Sequence, residues 1–159
     1  MDNPGKEKIP DRRQKYKGWR EIGGKRCYFK SLWEANYARF LQWLKDRGDI
    51  LDWDYEPETF WFEKKNKKGE VLSSIKRGTN NYKPDFRVLH KKVIKYPDQR
   101  MSDREFIEVK GYMDAQSATK LKRMRIYHPE ILLRLVDKTW FSQNNKVFRN
   151  IIPGWETAA

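Results

Sequence analysis

Apolar residues along the chain recur at two spacings, and each spacing marks a kind of element. From Ser31 to about Arg47 the residues Trp33, Tyr37, Phe40, Leu41 and Leu44 fall three or four apart, the period of one buried helix face. Gly48 supplies a stop. From Ala115 to about His128 a second helix is predicted, with Ala118, Leu121, Met124 and Tyr127 inward and His128-Pro129 ending it. Elsewhere the period is two. Tyr82 to Val88 and Phe106 to Gly111 read as strands, with Tyr82, Phe86, Val88, Ile107 and Val109 toward a core. Asp52 to Glu56 alternates in the same way up to a bend at Pro57, and Val71 to Ile75 is a returning strand after the charged turn Lys64 to Gly69. Ile131 to Val136 is a last strand, expected to be mostly buried because it is almost wholly aliphatic.

The same alternation that buries the apolar residues throws polar ones to the opposite face. Lys83, Asp85 and Arg87 share a face of the first key strand, and Glu108 and Lys110 share a face of the second. Two acids and a lysine can therefore converge on one sheet edge. Carboxylate oxygens suit a hard divalent cation such as magnesium, and a lysine beside them suits a phosphate or an attacking water. A second Pro-Asp pair, Pro97-Asp98, lies closer in sequence to Glu108, but Gln99, Arg100, Ser102 and Asp103 around it are turn-like. A proline also cannot donate within a central strand, so Asp85 is preferred. Glu34 has two open roles. Ser31-Leu32-Trp33-Glu34 matches a capping box, in which Glu34 would reach back to the Ser31 amide. Its place at the margin of the helix's apolar face would also let its carboxylate look along the sheet edge. Asp54, Glu56 and Glu58 read as solvated charge on an edge strand.

Charge narrows the class of partner. The chain of 159 residues, enough for one domain, carries 35 Lys and Arg against 22 Asp and Glu, a formal net charge of +13. Such an excess suits a polyanion. Residues 1–27 are polar, basic and interrupted by Pro and Gly, and are expected to form a flexible arm whose later part, at Tyr16 and Trp19, docks on the core, with stacking on nucleic acid as the alternative. In it Arg12, Arg13, Lys15, Lys17 and Arg20 would contact phosphates without reading sequence. Lys120 and Arg123, on the helix that follows the second key strand, are further phosphate contacts. Residues 138–159, with Trp140, Phe141, Phe148, Ile151, Ile152 and Trp155, are expected to be an aromatic extension packed on the domain or on a second subunit. Cys27 is the single cysteine, so neither an intrachain disulfide nor a multi-cysteine zinc site can form. No apolar run is long enough to cross a bilayer, and the stretch Met1 to Lys6 lacks the apolar core of a signal peptide. These features give the expectation of a cytoplasmic protein without a membrane partner, in the host cytoplasm if the source is a virus.

The order helix, strands, Pro84-Asp85 strand, Glu108-Val109-Lys110 strand, helix, strand resembles the core of the PD-(D/E)XK nuclease superfamily. Over residues 28–137 the longer text is similar to phage-type endonuclease I, a Holliday-junction resolvase. The matching stretches are Phe29-Lys30-Ser31 with Glu34, Asp54-Tyr55-Glu56, Tyr82 to Val88, Phe106 to Gly111 and Tyr127-His128-Pro129-Glu130. His90 to Arg104 is an insertion relative to that pattern. The resemblance implies a restriction-endonuclease-like α/β core, a central mixed sheet flanked by helices. It implies magnesium, with manganese able to substitute, held by Asp85, Glu108 and the main-chain carbonyl of Val109. Glu34 would complete the acidic site, and Lys110 would orient or activate water. It implies cleavage of branched DNA, above all four-way junctions, by a homodimer whose twofold axis presents two sites to two strands.

Overall fold

The computed structural model describes residues 16–157. Its architecture is mixed α/β, with three helices around a mixed four-stranded sheet. The first strands, β1 (Gly18–Ile22) and β2 (Lys25–Phe29), form an antiparallel hairpin. Helix α1 (Leu32–Asp46) follows, then β3 (Asp52–Tyr55), β4 (Phe60–Trp61), β5 (Glu63–Lys65), β6 (Val71–Ser74) and β7 (Asn81–Tyr82). The two long strands β8 (Phe86–Lys95) and β9 (Met101–Lys110) come next, then α2 (Ala115–Tyr127), β10 (Leu133–Asp137) and α3 (Lys138–Ile151). The main sheet runs β10-β9-β8-β3, with β9 and β10 parallel and the other pairs antiparallel.

The central strand β9 is buried on consecutive positions, and so on both faces, only at Glu105, Phe106 and Ile107. Ile107 and Val109 pack under α1 and α3 with Ala35, Ala38, Leu41, Trp53, Phe86 and Phe141. Phe106 points the other way, to Phe60, Phe62, Tyr82 and Met124 beneath α2. Helix α1 begins at Ser31, whose Oγ accepts the Glu34 N–H at 3.1 Å. It ends with Gly48 in the left-handed region (φ +78°), where Gly48 donates to the Lys45 carbonyl and Asp49 to that of Leu44. That pair of bonds is a Schellman stop. Helix α3 clamps on α1 through rings: Trp33 stacks on Phe141 at 4.6 Å, and Phe40 meets Trp140 at 5.0 Å and Phe148 at 5.2 Å. Residues 138–157 thus pack on the domain, with Phe141 in the main core and Trp140 against it.

Several expectations change. Residues 18–29 are a hairpin, not a flexible arm. Its two-residue turn, Gly23-Gly24, has φ of +59° and +78°, which only glycine adopts freely. Pro84 breaks the first key strand, so β7 and β8 are separate and Tyr82 turns its hydroxyl away from the main core. The insertion His90 to Arg104 is the outer part of a long β8–β9 ribbon turning at Tyr96 to Arg100. Ala118 is exposed, and Met124 is the buried residue of α2. Strand β10 lies at the sheet edge, so Leu135 is 43% exposed although its composition suggests burial.

Candidate active site

The acids gather where β8 parts from β9. Backbone pairing between these strands ends at Phe86 opposite Ile107. One residue earlier the Asp85 side chain takes over, its Oδ2 accepting the Val109 N–H at 2.8 Å. On its other side the Asp85 carbonyl accepts the Glu56 N–H at 2.7 Å. Asp85 is therefore clamped between β9 and the end of β3, and is almost fully buried. Asp98, its rival in sequence, lies exposed at the ribbon tip, paired with Arg100 at 2.8 Å.

Glu108 is fixed by Tyr82, whose hydroxyl donates to Oε2. The Lys110 ammonium lies 4.0 Å from Oε1, on the same face of β9. Glu34 enters from the first turn of α1 and is buried. Its Oε2 accepts the Tyr55 hydroxyl at 2.5 Å and the Lys30 N–H at 3.2 Å. The Ser31 half of the capping box forms, but Glu34 closes on the Lys30 amide one residue earlier, because Tyr55 draws its carboxylate toward the sheet. The Ser31 amide expected for a full capping box is therefore not the partner of Glu34.

Each of the three carboxylates spends one oxygen on a fixed internal donor. Asp85 Oδ1, Glu108 Oε1 and Glu34 Oε1 accept no hydrogen bond among the described residues. No buried side-chain oxygen there lacks a partner, so these three reach the surface. All three groups have raised pKa values, first of all through burial. Asp85 stands well above the ordinary aspartate range, because Glu108 and Glu34 repel its charge in addition. For Glu108, burial outweighs the Tyr82 bond and the lysines Lys110 and Lys120, which pull the other way. Among the described residues no three His, Cys, Asp or Glu side chains already form a ready-made metal cage. What the site does hold is a crowd of desolvated negative charge with three outward-facing oxygens. A hard cation would relieve that crowding, so the donor set fits magnesium.

Beside Glu108 lies a recess of about 30 Å3 lined by Tyr82, Lys110, Met113, Ser117, Lys120 and Leu121. It is large enough for a water and too small for a nucleotide. Lys120, expected as a general phosphate contact, thus stands at the site itself. Arg123 does not face outward as expected, since it donates to the Thr79 carbonyl and straps α2 to the loop before β7. Arg20 is likewise taken, donating to Glu156 at 2.6 and 3.1 Å. Lys17 is exposed, while Arg12, Arg13 and Lys15 lie outside the described residues. His128 packs on Phe60 and donates to the Trp61 carbonyl at 2.8 Å, as a helix-end residue.

Sequence reasoning missed Tyr55, Tyr82 and Lys30 as site residues. Lys30 links the site to β3, its ammonium bonded to Glu56 and its amide to Glu34. Each of these contacts spans a tertiary interface, and only the short Lys30–Glu34 separation left a local signal.

Comparison with family models, with curated proteins and with solved structures finds no match for this chain. No helix among the described residues is long and apolar enough to cross a membrane.

Proposed function

We propose that this chain is a magnesium-dependent, structure-selective DNA endonuclease with a restriction-endonuclease-like core, acting on branched DNA such as four-way junctions. The observation that carries the reading is the cluster of buried Asp85 and Glu34 with part-buried Glu108, three carboxylates with raised pKa values beside Lys110. Residues with strongly perturbed titration in a cleft are where chemistry is done. The basic excess supplies the attraction for a polyanion.

Asp85, Glu108 and the main-chain carbonyl of Val109 would hold the magnesium, with Glu34 adding charge at its margin. When bound, the ion supplies polarisation of the scissile phosphate and a water of lowered pKa. The chain's own groups do the rest. The Val109 amide and the Tyr82 and Tyr55 hydroxyls keep one oxygen of each carboxylate engaged and aim the other outward. Lys110 shares the recess with Glu108, where its ammonium can orient water for attack on phosphorus and offset the charge that develops on the phosphate oxygens. Lys120 offers a second cation to the same phosphate. The water's oxygen forms the new bond to phosphorus as the bridging P–O bond breaks, without a covalent enzyme intermediate. A homodimer, with two such sites about a twofold axis, would cut a junction on two strands.

The test is a side-by-side assay of a labelled four-way junction and a linear duplex built from the same arms, with magnesium and with chelator. Magnesium-dependent paired cuts near the crossover, with the duplex spared, are expected. Equal cutting of both substrates would remove branch selectivity and leave a general nuclease of the same superfamily. Binding without cutting in magnesium or manganese would make the chain a non-catalytic nucleic-acid-binding module.

A further inference from the structure

The acid site leaves the outer face of the β1–β2 hairpin unexplained. Trp19 and Tyr28 are 61% and 46% exposed. They are cross-strand partners, their ring centroids 5.6 Å apart at 76°. The Arg26 guanidinium lies over the Trp19 ring, 5.0 Å from its centroid. The inward side chains of the same strands already do the folding: Ile22 and Phe29 are buried and Arg20 is tied to Glu156. A single exposed ring is ordinary. Two edge-to-face rings carrying a stacked cation make a platform that packing does not call for.

This platform shares a wall with the acid site. Lys30, whose amide meets Glu34, lies two residues beyond Tyr28, about 7 Å along an extended chain. Phe29, between them, packs at 4.6 Å on Tyr55, the ring that holds Glu34. Around the rings, Lys17 and Arg26 offer positive charge, while the Lys30 ammonium is paired with Glu56. Glu21, an acid on the same face, sits opposite Arg26, away from the Lys30 end.

We infer that Trp19, Tyr28 and Arg26 form a stacking site for an unpaired nucleobase of the strand whose backbone crosses the acid site. This rests on reading that site as a phosphodiesterase. Aromatic side chains reach the face of a base only when the base has left the duplex stack. Stacking of this kind tolerates any sequence, because every base has a π-face. Branch points, flaps and ends offer such bases and continuous duplex does not. The hairpin therefore gives selectivity for DNA structure a physical origin that the carboxylates cannot supply, since they see only phosphate.

The experiment uses the full chain in chelator, so that nothing is cut, and reads fluorescence anisotropy. One probe is a duplex with a single-stranded flap of about ten nucleotides, within the span such sites cover; the other is the same duplex with blunt ends. The double variant Trp19→Ala/Tyr28→Ala should weaken flap binding by about tenfold or more and leave blunt-duplex binding within about twofold. Trp19→Phe/Tyr28→Phe, which keeps the rings, should stay near wild type. Equal losses on both probes would overturn the stacking site. An unchanged flap affinity would also overturn it and point the rings toward a protein partner. Because the readout needs no cleavage, the two readings fail separately. A wild-type chain that grips flaps through the rings but never cuts would sink the nuclease alone. Branch-selective cutting and flap binding untouched by the alanine pair would sink the stacking site alone.

Discussion

Asp85 is held by two opposing forces. The Val109 amide favours its charge, while burial and the neighbouring Glu108 and Glu34 oppose it, and the opposition wins. A carboxyl whose native pKa is raised contributes stability below its unfolded value and loses it as pH climbs through the native one. In the metal-free protein the Asp85 contribution should therefore be lost as pH rises above about 4, and magnesium should restore it near neutrality. Asp85→Asn keeps an oxygen for the Val109 N–H but removes the repulsion. It should abolish cleavage, retain DNA binding and, in chelator at neutral pH, raise Tm by about 2–4 °C. A lowered Tm would mean that the bond to Val109 outweighs the repulsion. Lys110→Ala should lose cleavage while junction binding stays measurable; wild-type rates would remove Lys110 from the chemistry. Glu105, three residues before Glu108, has the opposite sign. Burial would lift its carboxyl, but bonds from His90 at 3.1 Å, Tyr96 at 2.6 Å and Arg134 at 3.0 Å hold it below its ordinary value. Its stabilisation is present above about pH 4.3 and fades as pH falls through the lowered value. Glu105→Gln should cost about 2 kcal/mol at neutral pH, read by denaturant unfolding, with a smaller difference from wild type in acid.

At the scale of elements, what was legible is what is local. The three-to-four spacing from Trp33 to Leu44 and the stop at Gly48 give α1, and the alternation of Ile107, Glu108, Val109 and Lys110 gives the working end of β9. The hairpin falls within the expected arm although its signal is present in the sequence. Gly18 to Ile22 and Lys25 to Phe29 alternate on either side of Gly23-Gly24, a two-residue turn pair, and the surrounding basic residues masked it as a loop. The ribbon from His90 to Arg104 was hidden for a related reason. Its strands face water on both sides away from the core, so lysines replace the apolar alternation that marks a strand. The contacts of Tyr82 with Glu108 and Tyr55 with Glu34 were not legible at all, because they join elements 26 and 21 residues apart. Two consequences can be measured. Asp98→Asn, at the exposed ribbon tip, should cleave like wild type; loss of activity there would overturn the assignment of Asp85. Glu156→Ala would release Arg20 and Arg39, which it holds at 2.6 Å each. With the carboxylate partly open to solvent, the loss should be about 1 kcal/mol, or about 2–4 °C in Tm. A Tm unmoved by Glu156→Ala would show that the apolar packing of Ile22 and Phe29 in the core holds the hairpin without the ion pairs.

At the scale of the whole molecule, charge and shape should act on different quantities. The excess of +13 attracts any nucleic acid, branched or not, by releasing counterions from the phosphates it covers. Several individual cations are engaged inside the fold: Arg20 and Arg39 on Glu156, Lys25 and Lys45 on Asp52, and Arg87 on Asp54. What remains toward the acid site includes Lys17, Arg26, Lys110 and Lys120, enough for about four phosphates. The logarithm of the association constant should then fall against the logarithm of salt with a slope of about −4. The slope should be the same for a junction and for its matched duplex, because both offer the same phosphates to the same cations. The separation between the two lines should come from contacts that salt does not screen, the exposed rings above all, so it should stay constant as salt rises. Titrations in chelator from low to physiological salt would measure both. Parallel lines with the junction tighter would assign attraction to charge and selectivity to unstacked bases. Lines that converge at high salt would instead make selectivity electrostatic, arising from the closer spacing of phosphates at a branch, and would leave the aromatic face of the hairpin without a part in it.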